Sequence, residues 1–213
     1  MQKRAYVLVE GYGEVEAVLN LVSRISKKAR LPLLWSQPKR WLNLHQWEPR
    51  SGKGGLLRGV NLVRREPDAG ALLILRDEDD GCPKELAPEI ATKLGSLNLP
   101  FPTAYVLLHP EYEVLFLPCV HLMIGDLPDG RPGLSPGTEW KGSWEAKRGV
   151  KEWLSAQFPR HRSYKPSLDQ LPLTRKVDLD ILSGADVPCF GSLERAIQFI
   201  GNNLSQQGLV YPS

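Results

Sequence analysis

The run Ala71-Leu72-Leu73-Ile74-Leu75-Arg76-Asp77-Glu78-Asp79-Asp80-Gly81 sets how this chain is read. Its apolar half fits a strand covered on both faces, the kind a parallel sheet uses. It then ends in four consecutive carboxylates, which no buried strand requires. Alternation along an extended chain puts Asp77 and Asp79 on one side and Glu78 on the other. Like charges about 4 Å apart repel by roughly 4 kcal/mol at an effective dielectric of 20. Such a cluster invites a cation, and hard oxygen donors suit Mg²⁺ or Mn²⁺. The plainer reading of Asp79-Asp80-Gly81 is a turn, with Asp80 capping a helix that begins near Pro83.

To either side of this run, the chain alternates strands and helices. Ala5-Tyr6-Val7-Leu8-Val9 reads as a buried strand and Glu10-Gly11-Tyr12-Gly13 as a turn. Val15, Val18, Leu19, Val22 and Ile25 recur at helical spacing, which predicts a helix over 14–29. Leu31–Trp35 is expected as a second strand, with Pro32 placing it at a strand start or a sheet edge. A loop over 36–52 leads to a helix ending near Arg65, ahead of Pro67 and Gly70. The strand 71–76, a helix over about 84–95 and the strand 104–108 follow. This order predicts an α/β fold, a mostly parallel sheet with helices on both faces. Beyond it, 125–143 is a Gly- and Pro-rich loop, 144–157 and 190–204 are expected to be helical, and 168–182 partly so. The expected division is an α/β core over 1–124 and a loop-rich, helical C-terminal extension over 125–213, packed on the core as one structural domain.

Composition narrows the class. The chain has 213 residues, 42% of them hydrophobic, and a net charge of +3. No apolar run approaches the roughly 20 residues of a membrane helix. Met1-Gln2-Lys3-Arg4 runs directly into a strand, unlike a signal peptide. Cys82, Cys119 and Cys189 lie far apart, which suggests reduced thiols and a cytoplasmic location. Residues 36–66 hold Lys39, Arg40, Arg50, Lys53, Arg58, Arg64 and Arg65 against Glu48 and Glu66. One basic segment therefore faces a remainder that is slightly acidic.

Open α/β sheets carry their sites at the C-terminal ends of the strands. Three expected strands end in or near acid: Glu10 after the first, Asp77 to Asp80 after 71–76, and Glu111 and Glu113 after 104–108. Glu10, Asp77, Asp79 and Glu113 are therefore the candidate metal ligands. Glu10, Glu14, Asp77 and Asp79 are the candidate catalytic residues, although the helix dipole alone would favour an acid at Glu14. Phosphate-loop readings fit less well. Gly11-Tyr12-Gly13 is followed by Glu16 where a third glycine would stand, and there is no GxxxxGK[ST].

Val9-Glu10-Gly11 followed by a helix, with Asp77-x-Asp79 closing a later strand, resembles the Toprim domain of topoisomerases, primases and the overcoming-lysogenization-defect nucleases. Longer blocks extend the likeness. They are Leu75–Leu86, Glu111–Leu117, Lys147–Leu154, Tyr164–Gln170 and Cys189–Leu193, and together they resemble the Toprim-like family catalogued as domain of unknown function 4276. The resemblance implies a Toprim-like (Rossmann-like) fold, Glu10 as the motif glutamate, and Asp77 and Asp79 as Mg²⁺ ligands. It also implies an ATPase partner and a role in defence against phage. The sequence departs from the family at Leu115, where an aromatic is common, and places Arg76 directly beside the acids.

The leading expectation is Mg²⁺-dependent phosphodiester hydrolysis of nucleic acid, DNA in preference to RNA. Lys39, Arg40, Arg50 and Lys53, interleaved with Trp41 and Trp47, and Lys165 further on, are the candidate nucleic-acid contacts. Equally, the tryptophans could pack in the core and the charges could only solubilise. The alternative is a non-catalytic Toprim-like subunit that binds or regulates an ATPase complex, and a third reading is a small-molecule phosphotransferase. An exposed sheet edge leaves room for a homodimer.

Overall fold

The apolar run forms the centre of the sheet. In the computed structural model, which describes residues 2–50, 52–146 and 148–212, it becomes strand β3 (Ala69–Asp77). Lys147, part of one of the family-like blocks, lies outside the described residues. The other strands are β1 (Arg4–Val9), β2 (Lys39–Arg40), β4 (Thr103–Leu108) and β5 (Val210–Tyr211). They form one parallel sheet in the order β2-β1-β3-β4-β5. The α/β class and the parallel sheet expected from the alternation are thus observed. Leu8 lies opposite Ile74, and Asp77 opposite Leu108, so β1, β3 and β4 all end at the same edge.

Among the described residues, seven helices cover the sheet. They are α1 (Glu14–Lys28), α2 (Leu56–Arg64), α3 (Pro83–Gly95), α4 (Val150–Gln157), α5 (Pro166–Lys176), α6 (Leu179–Gly184) and α7 (Pro188–Asn202). A 3₁₀ segment, Tyr112–Met123, follows β4. The strands split their side chains between two cores, as the period-2 geometry requires. Val7, Val9, Leu73, Leu75, Val106 and Leu108 join α1, α5, α7 and the 3₁₀ segment on one face. Tyr6, Leu8, Leu72, Ile74, Tyr105 and Leu107 join α2 and α3 on the other. Within the C-terminal part, 125–213, α7 packs on β3 and β4, and β5 extends the sheet beyond β4.

Three expected elements differ in the structure. Leu31–Trp35 is not a strand. Ala5 donates to Leu34 O and accepts from Ser36 N, and pairing with β1 resumes only at Lys39–Arg40. Pro38, which has no N–H, lies in the gap, so the edge is built in two short pieces, the second inside the stretch expected as loop. The helix expected over 144–157 begins only at Val150, after Gly149 takes a left-handed conformation at φ 72°. The region 168–182 holds two helices. They separate at Val177–Asp178, where the Asp178 side chain caps α6 by accepting from Asp180 N and Ile181 N.

Candidate functional site

The strand ends bring acid together on one face of the sheet. Ala71, Leu73 and Leu75 face the α1 side, and Asp77 continues that alternation. Its Oδ1 accepts from Tyr112 N at 2.8 Å, which ties the end of β3 to the start of the 3₁₀ segment. Glu14, in the first turn of α1, is buried and turns back to accept from Glu10 N at 3.2 Å. Gly11 permits this: a Cβ there would lie 2.7 Å from Glu14 Oε1. Glu113 is fully buried and accepts from Tyr164 OH at 2.6 Å, while its Oε2 has no hydrogen-bond partner among the described residues.

Lys151, from α4, sits among these acids. Its Nζ lies 2.9 Å from Glu111 Oε2 and 3.4 Å from both Asp77 Oδ2 and Glu113 Oε2. The charges shape one another. Burial first, then the Glu14 and Glu113 carboxylates, hold Asp77 well above the usual carboxylate range, against the pull of Lys151. Burial pushes Glu113 up to about 7, opposed by Lys151 and by the Tyr164 hydroxyl. Burial also raises Glu14, against the backbone N–H groups of Gly11 and Glu10. For Lys151 burial acts downward, but Glu113, Asp77 and Glu111 outweigh it and the ammonium is held more firmly charged than usual.

A cavity of about 290 Å³ opens beside this cluster, lined by Gly11, Tyr12, Gly13, Glu14, Glu113, Lys151, Pro166, Ser167 and Gln170. Gly13 allows α5 to close its wall, because a Cβ there would lie 2.4 Å from Pro166 O. Asp169 holds α5 in place: it accepts from Arg131 Nη1 at 3.0 Å, Arg162 Nη2 at 2.5 Å and Lys165 N at 2.8 Å. A larger open groove of about 470 Å³ between α1 and α5 is lined by Asn20, Arg24 and Arg175 and by none of the clustered acids.

The candidate residues fall into separate groups. Glu10 follows Tyr6 and Leu8 of the α2–α3 face, and its Oε1 accepts from Leu44 N at 2.7 Å, with His45 Nδ1 3.7 Å away. Asp79 is exposed. Glu78 closes the turn by accepting from Gly81 N at 2.8 Å and also pairs with Arg76, whose Nε donates to Tyr105 OH at 2.6 Å. Asp80 is not the helix cap; Cys82 holds that position, and Asp80 pairs with Arg148 at 2.7 Å. His109 Nδ1 lies 2.6 Å from Glu78 O.

The basic candidates diverge too. Lys39 pairs with Glu66 at 3.1 Å, while Arg50, Lys53 and Lys165 are exposed. Arg40 lies over the Tyr12 ring, its Cζ 3.8 Å from the centroid. Trp41 and Trp47 pack against the α2–α3 core, so the tryptophans follow the packing alternative. Lys151, Tyr164 and Asp169 stand in sequence blocks singled out above, but spacing alone assigns them no part in the acidic cluster. Their partners are distant in sequence, so the only local signal is polar residues beside apolar ones.

Among the described residues, no group of three or more His, Cys, Asp or Glu side chains is arranged to hold a metal ion. The donor chemistry nevertheless suits a hard cation: carboxylates raised first by burial and then, at Asp77, by neighbouring carboxylates, and a Glu113 oxygen with no hydrogen bond among the described residues. No helix among the described residues is long and apolar enough to cross a membrane. No family model, curated protein or solved structure matches the chain.

Proposed function

We propose that the cluster around Asp77 is the centre of a divalent-cation-dependent phosphodiesterase acting on nucleic acid, with a Toprim-like fold. The observation that carries this reading is the meeting of Asp77, Glu14 and Glu113 beside one cavity at the strand ends, with Asp77 and Glu113 both pushed up. Asp77, Glu14 and Glu113 would hold Mg²⁺ or Mn²⁺, whereas Glu10, which accepts from Leu44 N, and the exposed Asp79 stand apart from this group. When bound, the cation would supply Lewis acidity and a water of lowered pKa.

The chain's own groups supply the rest. Lys151 carries a positive charge into an acidic site and can face a phosphoryl oxygen. The exposed Lys165, at the start of α5, lies next to the cavity wall formed by Pro166 and Ser167.

One observation favours a second reading. Lys151 already pairs with Asp77, Glu111 and Glu113, as a structural ion-pair cluster in a non-catalytic subunit of an ATPase complex would. Calorimetry with MgCl₂ and MnCl₂ separates the two. The phosphodiesterase reading expects saturable binding that Asp77→Asn weakens at least about tenfold, together with Mn²⁺-dependent cleavage of plasmid or single-stranded DNA that the variant loses. No cation binding and no cleavage would leave the scaffold reading.

A further inference from the structure

Tyr12 is the most exposed of the large hydrophobic side chains among the described residues, with 73% of its surface open. Its loop is nonetheless held at both sides. Arg40 belongs to β2, pairs with Val9, donates from Nε to Glu10 O at 3.0 Å, and lays its guanidinium over the ring. Gly13, the next residue, is fitted closely against Pro166 of α5. The backbone on either side of Tyr12 is therefore held, and its ring lies with one face on the guanidinium and most of the remaining surface toward solvent. It also lines the cavity that holds Glu14, Glu113 and Lys151.

We propose that the Tyr12–Arg40 pair is a stacking platform for an unpaired nucleobase next to the scissile phosphodiester. The proposal rests on the nucleic-acid reading given above and names how that substrate is held. Every base has a π-face, so an exposed aromatic ring accepts any of them, and a stacked arginine adds a cation–π contribution and a contact for the backbone. Two cations stand near the cavity: Arg40 over the Tyr12 ring, and exposed Lys165 directly before Pro166 of the lining. Trp41 and Trp47, the aromatics of the basic segment, pack against the α2–α3 core and leave this role to Tyr12.

The test is fluorescence anisotropy in EDTA with a labelled single-stranded DNA oligonucleotide and an abasic strand of equal length. The proteins are the full chain, Tyr12→Ala and Tyr12→Phe. Removing the ring should weaken binding to the base-containing strand by roughly tenfold. Tyr12→Phe should bind as the native chain does, because stacking needs the ring and not the hydroxyl. The abasic strand should bind all three proteins alike. Equal binding of Tyr12→Ala and the native chain overturns the proposal, as does failure of the native chain to bind or to prefer bases. Cleavage with Mn²⁺, native against Asp77→Asn, is scored separately. Loss of ring dependence with cleavage intact sinks the platform alone, whereas ring-dependent binding without cleavage sinks the phosphodiesterase reading alone.

Discussion

At the scale of single residues, the chemistry turns on which side chains meet Lys151. Replacing it by methionine keeps much of the stem but leaves Glu111, Asp77 and Glu113 facing one another. Because Lys151 is about a third exposed, the expected cost is below the ~3–5 kcal/mol of a fully buried pair, on the order of 1–3 kcal/mol. Urea melts of Lys151→Met, alone and combined with Glu113→Gln, measure it, and the second change should restore part of the loss. Glu113 also sets a pH dependence. Its carboxyl is raised from 4.5 in the unfolded chain to about 7 in the folded one, so the folded state binds more protons between those values. Stability should therefore fall as pH rises from 4.5 to 7 in EDTA, and Glu113→Gln should flatten that slope in thermal melts. The sequence marks Asp77, Glu14 and Glu113 as acids near strand ends. It does not mark Lys151, because ion pairing over 74 residues of chain leaves no local pattern.

At the scale of elements, local periodicity is a good guide where one face is buried. The expected 14–29 helix is observed as Glu14–Lys28, and the 71–76 and 104–108 strands as Ala69–Asp77 and Thr103–Leu108. It is a poor guide at the β2 edge, where pairing by backbone groups makes the element, and at α4, where a left-handed glycine delays the helix. The start of α5 is tied to the loops around it by Asp169, which joins Arg131, Arg162 and Lys165 N. Asp169→Ala leaves two arginines and a backbone N–H without their shared acceptor, and should cost about 3 kcal/mol. Hydrogen exchange should show the loss concentrated in α5 and in the loop carrying Arg131, with the amides of β3 least affected.

At the scale of the whole molecule, residues far apart in the chain share one core. α7 covers β3 and β4, and β5 pairs with β4, so residues 1–124 alone would expose Leu73, Val106 and Leu108. That fragment should lack a cooperative thermal transition by circular dichroism, while the full chain shows one. The amino-acid order suffices for the alternation of strands and helices, the parallel sheet, and the acids at its C-terminal edge. Those follow from period-2 and period-3.6 burial, which each segment carries in itself. It took the packed molecule to turn Glu10 toward Leu44 while Glu14 and Glu113 lie with Asp77, and to bring in a lysine from α4 that pairs with Asp77 and Glu113. Charge pairing depends on distance in space, and a sheet's two faces separate neighbours in the chain as readily as they join strangers.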